Sequence, residues 1–241
     1  MRLDKAVSLS GLTRRDARRA ISAGRVRVNG IPFTDAALNL RPEDRVALDG
    51  AEISLKVHAH VMLNKPAGVL TATEDARGEK TVMDFLPEAL VRRGMGPVGR
   101  LDKDVTGLIL LTTDGQLAHR LISPRWEIEK RYFARVEGRL LPEYAEAFQN
   151  GIALSDFQAL PARLEILEAG ESESLCRVYV KEGKYHQVKR MLLAVGHPVL
   201  ALRREKIGPV TLDPALSEGE WRPLTDEEER LLYRITEMPL P

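Results

Sequence analysis

The loop Gly99-Arg100-Leu101-Asp102-Lys103-Asp104-Val105-Thr106-Gly107 runs directly into Leu108-Ile109-Leu110-Leu111, so carboxylates stand at the edge of an apolar run. The apolar run fits a strand buried on both faces, and a polar loop entering such a strand is held at its base. An aspartate carboxyl, with an ordinary pKa of about 3.9, is ionised at neutral pH and can act as a nucleophile or stabilise positive charge without an activating base. The same residues suit a solvated turn before a core strand, and Asp104 is expected to cap the loop through a backbone N–H near Thr106. A carboxylate in a dry pocket needs compensation for several kcal/mol of lost hydration. One cation at about 4 Å and an effective dielectric near 20 returns roughly 4 kcal/mol, so a basic partner is expected.

The elements that must position this loop divide into a small first module, residues 1–57, and a larger one, residues 60–241. Thr13-Arg14-Arg15-Asp16 opens a helix that Gly24 closes; Arg25-Val26-Arg27-Val28 alternates as a half-buried strand, and Asn29-Gly30 marks a tight turn. Arg45 to Gly50 repeats the strand-then-turn pattern. Arg14, Arg15, Arg18 and Arg19 recur at spacings of three and four, so they share one helix face, with few acids interspersed to neutralise it. In the larger module Val61-Met62-Leu63 leads into the turn Asn64-Lys65-Pro66-Ala67-Gly68, Lys130 to Val136 and Leu175 to Val180 alternate as strands, and helices are expected at 142–150 and 186–195. Strands without steady helix alternation predict an α+β chain with a mixed, largely antiparallel sheet.

At 241 residues and 44% hydrophobic content the chain can bury a substantial core and form two domains. Its net charge of +1 hides an uneven distribution: residues 1–30 hold eight basic residues against two acidic ones, a net of +6. A local basic face of this kind attracts phosphate, whereas the acids Asp226 to Glu229 open what reads as a solvated helix near the other end. The only cysteine, Cys176, excludes an intrachain disulfide and reads as a buried thiol; with the charged start Met1-Arg2-Leu3-Asp4-Lys5 and no long apolar run, it fits a cytoplasmic protein with no membrane partner. The histidines show no ligand spacing with Cys176, so no metal is expected.

Three ordered motifs carry a family resemblance: Asn64 to Gly68, Gly99 to Thr112, and Glu182-Gly183-Lys184-Tyr185-His186-Gln187-Val188-Lys189-Arg190-Met191. Together they resemble RNA pseudouridine synthases of the RsuA and RluA group, and the last motif is more similar to the small-subunit ribosomal RNA branch than to the large-subunit one. Residues 3–5 and 24–30, with the helix between, resemble the S4 RNA-binding module. The resemblance implies isomerisation of a uridine in small-subunit ribosomal RNA, or alternatively large-subunit RNA, by a monomer without cofactors. It implies that Asp102 is the essential carboxylate, Lys189 its basic partner and Tyr132 an active-site tyrosine that stacks on a flipped base, an interaction contributing roughly 1–3 kcal/mol. Arg100 would fill space or meet phosphate beside the flipped nucleotide, and Arg14, Arg15, Arg18, Arg19, Arg25, Arg27 and Lys65 would contact RNA. Bonding of Asp102 to ribose, bonding to the base, and a glycal-type intermediate all stay open. So do a non-catalytic ribosome-associated binder and a glycosylase releasing free uracil.

Overall fold

The computed structural model describes residues 1–41 and 43–241. They divide into two compact units: residues 1–59 together with 86–96 and 241, and residues 60–85 together with 97–240.

The first unit contains α1 (Leu3–Ser8), α2 (Arg14–Ser22), the strands β1 (Val26–Val28), β2 (Ile31–Pro32), β3 (Val46–Leu48) and β4 (Ala51–Ile53), and α3 (Glu88–Arg92). Thr13 caps α2, its Oγ1 accepting from the Asp16 N–H at 3.1 Å. The strands form an antiparallel sheet in the order β2-β1-β3-β4. Both hairpin turns need left-handed backbone, which Asn29-Gly30 (φ 52° and 83°) and Asp49-Gly50 (φ 51° and 85°) provide. Leu3, Ile21, Val26 and Val46 are buried completely between the helices and this sheet.

The second unit is built on β5 (His60–Lys65), β6 (Gly96–Pro97, of which Pro97 belongs to this unit), β7 (Thr106–Thr112), β8 (Lys130–Glu137), β9 (Arg163–Ala169), β10 (Glu173–Val180), β11 (Val199–Ile207), β12 (Val210–Thr211) and β13 (Trp221–Pro223). The helices are α4 (Gly115–Ile122), α5 (Glu143–Gln149), α6 (Gln187–Ala194) and α7 (Asp226–Ile235). The strands make one nine-stranded sheet whose main path is β13-β5-β7-β11-β8-β10-β9. Every pairing described along that path is antiparallel except β7 with β11, which gives the mixed, largely antiparallel sheet of an α+β chain. One core cluster packs Ala134, Phe148, Val178, Met191 and Leu192 together. A second gathers Met62, Leu108, Leu110, Ile207 and Tyr233. Helix α7 carries its acids in the first turn with a Thr225/Glu228 capping box, yet it is not simply solvated, because Leu232 and Tyr233 bury its inner face in the second cluster.

The parallel seam explains the glycine that closes the Asp102 loop. Gly107 has φ +100°, and a Cβ there would lie 2.3 Å from the carbonyl oxygen of Arg204 on β11. Gly107→Ala is therefore expected to lose about 3 kcal/mol or more, joining backbone strain to overpacking. Gly196→Ala, also left-handed (φ +92°) but with nothing within 4 Å of the new methyl, should lose only about 1–2 kcal/mol. Urea unfolding followed by the two tryptophans, Trp126 and Trp221, both in the second unit, measures the difference.

Candidate active site

The loop between Gly99 and Gly107 is stitched down on one side by the turn that follows β5. Lys65 is completely buried, and its ammonium donates to the carbonyls of Pro66 (2.9 Å), Lys103 (3.2 Å) and Val105 (2.8 Å). Gly68 N–H donates to the Lys103 carbonyl at 2.7 Å, and Thr71 Oγ1 both donates to Leu101 O (2.9 Å) and accepts from Leu101 N–H (3.2 Å). Burial pulls the Lys65 ammonium down to about 8, against the attraction of Asp104 and Asp102. The sequence reading of Lys65 as an RNA contact is thus corrected: its three donors are spent inside the protein, where they hold the loop backbone.

On the other side stands α6. Lys189 Nζ lies 3.1 Å from Asp102 Oδ2 and 2.7 Å from Asp104 Oδ1, so one ammonium serves both carboxylates. Burial disfavours the Lys189 charge, but hydrogen bonds to Asp104 and Asp102 outweigh it and raise the group above the ordinary lysine value. The Lys189 hydrogen bond likewise holds Asp104 below the usual carboxylate range. This corrects the expected backbone cap for Asp104, whose side chain reaches across to the helix because a cation there is the stronger partner. Asp104 is 74% exposed while Asp102 is 28% exposed, so Asp102 is the carboxylate recessed in the cleft.

The start of α6 is fixed by buried polar groups rather than by a side-chain cap. Gln187 Oε1 accepts from the Lys184 N–H (3.0 Å), its Nε2 donates to Glu182 Oε1 (2.6 Å), and that same oxygen accepts from the Leu160 N–H (2.8 Å). His186 occupies left-handed backbone (φ 50°) and sets its Nε2 3.6 Å from Asp102 Oδ1. Gln187 therefore locks the turn, as expected of a buttress, while His186 reaches the carboxylate itself.

Tyr132 comes from β8, packs against the first core cluster and lines a small pocket with Arg100, Asp102, His186 and Lys189. Behind it is a residue that sequence reasoning missed. Arg204 on β11 is 4% exposed; its Nε donates to Leu108 O (2.8 Å), its Nη1 reaches the Tyr132 hydroxyl at 3.5 Å, and its Nη2 is buried with no hydrogen-bond partner. Lys130, also buried, is pulled down to about 8 by burial and by the Arg204 charge. The only sequence signal was that charged residues interrupt an otherwise strand-like run, Leu202-Arg203-Arg204-Glu205-Lys206-Ile207.

Residues 59–194 match the family described as RNA pseudouridylate synthase. The chain belongs to that family. Residues 1–46 match the S4 domain. The chain is 43% identical over 233 residues to the ribosomal small subunit pseudouridine synthase A of Escherichia coli (strain K12), covering 95% of this chain and 98% of that protein. It is 40% identical to the uncharacterized RNA pseudouridine synthase YtzG of Bacillus subtilis (strain 168) over 96% of this chain and 98% of the relative. Among solved structures, a crystal structure of a pseudouridylate synthase is similar with a TM-score of 0.68 and 37% identity, over 96% of this chain and 99% of that one. This synthase is accordingly an isomerase with an S4 domain at its start. No described helix is long and apolar enough to cross a membrane, and no described group of histidine, cysteine and carboxylate side chains has the arrangement of a metal site. Cys176 is buried, and burial pushes its thiol up to about 12.

Within the S4 domain the arginines are less free than their spacing suggests. The acid Asp4, buried on α1 beneath α2, gathers Arg18 at 3.0 Å, Arg2 at 3.3 Å and Arg14 at 4.0 Å. Arg19 pairs with Asp16 (3.6 Å), Arg25 with Asp49, and Arg27 Nη1 donates to Gly30 O (2.9 Å). The expectation that acids scarcely neutralise this face is corrected, because packing of α1 on α2 brings Asp4 to the arginines. Arg14, Arg15, Arg18 and Arg19 nonetheless stay exposed and line one open groove.

Two outcomes follow from the loop. Lys65→Met should quicken hydrogen exchange at the amides of residues 101–106 by at least about tenfold, some 1.4 kcal/mol of local opening, with β9 unchanged. Asp104, lowered in the fold, contributes above the ordinary carboxylate range of about pH 4 and loses that contribution as pH falls through its lowered value. Asp104→Asn should therefore lower stability at pH 7 by about 0.2–1 kcal/mol, as for an exposed pair, and by progressively less as pH is brought from about 5 towards 2. Urea unfolding across that range reads the difference.

Proposed function

We propose that this chain converts one uridine of small-subunit ribosomal RNA to pseudouridine, with Asp102 as the nucleophile. The observation that carries the reading is the recessed Asp102 carboxylate, 3.1 Å from the Lys189 ammonium in a pocket that Tyr132 also lines. The choice of small-subunit RNA is supported by the names of relatives such as that of Escherichia coli, 43% identical over nearly the whole length.

The S4 module, residues 1–57, meets RNA phosphates through Arg14, Arg15, Arg18, Arg19, Arg25 and Arg27, each already paired arginine exchanging or sharing its carboxylate for phosphate. In the catalytic domain, residues 60–241, the target uridine leaves its stack at a cost of a few kcal/mol, which stacking on Tyr132 offsets. Arg100, exposed at the mouth of the pocket, meets the neighbouring phosphate. The bond from ribose C1′ to uracil N1 breaks, the base turns, and a bond from C1′ to C5 forms. The C5 hydrogen leaves as a proton and N1 gains one, so neither an oxidant nor water is consumed. Lys189 balances the Asp102 charge while positive charge grows on the ribose, and the site needs no cofactor for these steps. Such an enzyme works where ribosomal RNA is made, in the cytoplasm.

Small-subunit RNA transcribed with tritium at uridine C5 tests this. Wild-type protein should release tritium without free uracil; Asp102→Asn should slow the release by at least about 10⁴-fold, the scale for loss of a nucleophile. Retained RNA binding by that variant is expected, whereas release of uracil would identify a glycosylase instead. Binding should also weaken with salt, and Arg15→Ala should reduce the slope of log affinity against log salt by about 0.7–0.9 for each phosphate that Arg15 neutralises.

A further inference from the structure

Tyr185 is the most exposed large hydrophobic side chain described, 71% exposed, and it stands in the motif that leads into α6. Its ring is stacked on His186 with centroids 3.8 Å apart and planes 17° from parallel. The stack covers one face of the phenol and leaves the other to solvent. His186 in turn sets its Nε2 3.6 Å from Asp102 Oδ1, so the histidine stands between the covered tyrosine face and the carboxylate.

The backbone beneath the ring is clamped. The Gln187 side chain accepts from the Lys184 N–H at 3.0 Å, the Gln187 N–H donates to Lys184 O at 3.2 Å, and Arg190 N–H donates to His186 O at 2.9 Å. These bonds hold His186 in left-handed backbone (φ 50°), a conformation a non-glycine residue keeps only where its surroundings dictate it. The side chains of Tyr185 and His186 also wall a groove with Thr71, Arg100 and Lys103, which continues past Asp102 and Asp104. Its acids are met by Lys189, and Thr71 is bonded to Leu101, so the groove keeps its shape; its rim carries the exposed cationic side chains of Arg100 and Lys103, the lysine paired with Glu79. A flat aromatic face beside cationic side chains suits an unpaired base and its phosphate better than an apolar peptide.

We propose that Tyr185, braced by His186, is a stacking platform for the nucleotide next to the target uridine, making a second RNA-base subsite alongside Asp102. This rests on the reading of the chain as an RNA-modifying enzyme acting at Asp102. The platform holds the neighbour of the flipped uridine in place, so its contribution falls on substrate binding and not on the bond-breaking step.

The test uses the full chain and a small-subunit RNA stem-loop carrying the modified uridine once that position is mapped, with 2-aminopurine substituted on either side of it. Binding to wild type should quench one flanking 2-aminopurine. Tyr185→Ala should abolish that quench and raise KM by about 5- to 150-fold, the range of one base–aromatic stack, with kcat within about threefold. Tyr185→Phe should keep both quench and KM, since it preserves the ring. An unchanged KM and an intact quench in Tyr185→Ala, with tritium release normal in wild type, overturn the platform alone. No tritium release by wild type overturns the platform together with the function it rests on.

Discussion

One ammonium between two carboxylates organises the catalytic unit. Lys189 joins α6 to the loop that precedes β7, and without it two acids of that one loop would lose the ammonium that contacts them both, His186 reaching only Asp102. Like charges so placed repel, and the loop would open to hydrate them. The exposed member, Asp104, helps to hold the lysine, which leaves the recessed Asp102 a compensated but accessible carboxylate. In the proposed reaction that single acid carries an isomerisation that consumes neither water nor redox equivalents.

The geometry of that pair is inherited from deeper in the fold. Lys65 fixes the loop backbone from below through three carbonyls. The parallel seam of β7 and β11 passes so close to Gly107 that no side chain fits there. Arg204 then links the same seam to Tyr132, bonding Leu108 O on one side and approaching the phenol on the other. Carboxylate and tyrosine thus hang on one sheet, with the cation on the helix beside them, the arrangement that pre-organises a site without demanding movement of its backbone.

Local chemistry was legible in the sequence; long-range partners were not. Asn29-Gly30 and Asp49-Gly50 revealed their hairpins, because only left-handed turns accept such pairs readily, and Leu108 to Leu111 revealed a doubly buried strand by its unbroken apolar run. The pairing of Lys189 with Asp102 was legible only through a family motif, since an isolated helix lysine reads as solvated. Lys65 and Arg204 defeated sequence reasoning for a related reason: a buried cation is identified by distant carbonyls, and their approach is a property of the sheet. In the sequence Asp4 enters only the charge count of the first module, because nothing local announces that α1 packs it beneath Arg14 and Arg18. The segment 86–96 joins the first unit although it lies within the second in chain order, a return that no local pattern marks.

We propose above that the recessed carboxylate turns one ribosomal uridine into its carbon-linked isomer. The most direct measurement of this is a pseudouridine map of both ribosomal RNAs from cells lacking this chain, complemented with wild type or with Asp102→Asn. One small-subunit pseudouridine should disappear, return with wild type and stay absent with the variant. A map unchanged by the deletion, or a modification restored by Asp102→Asn, would contradict it.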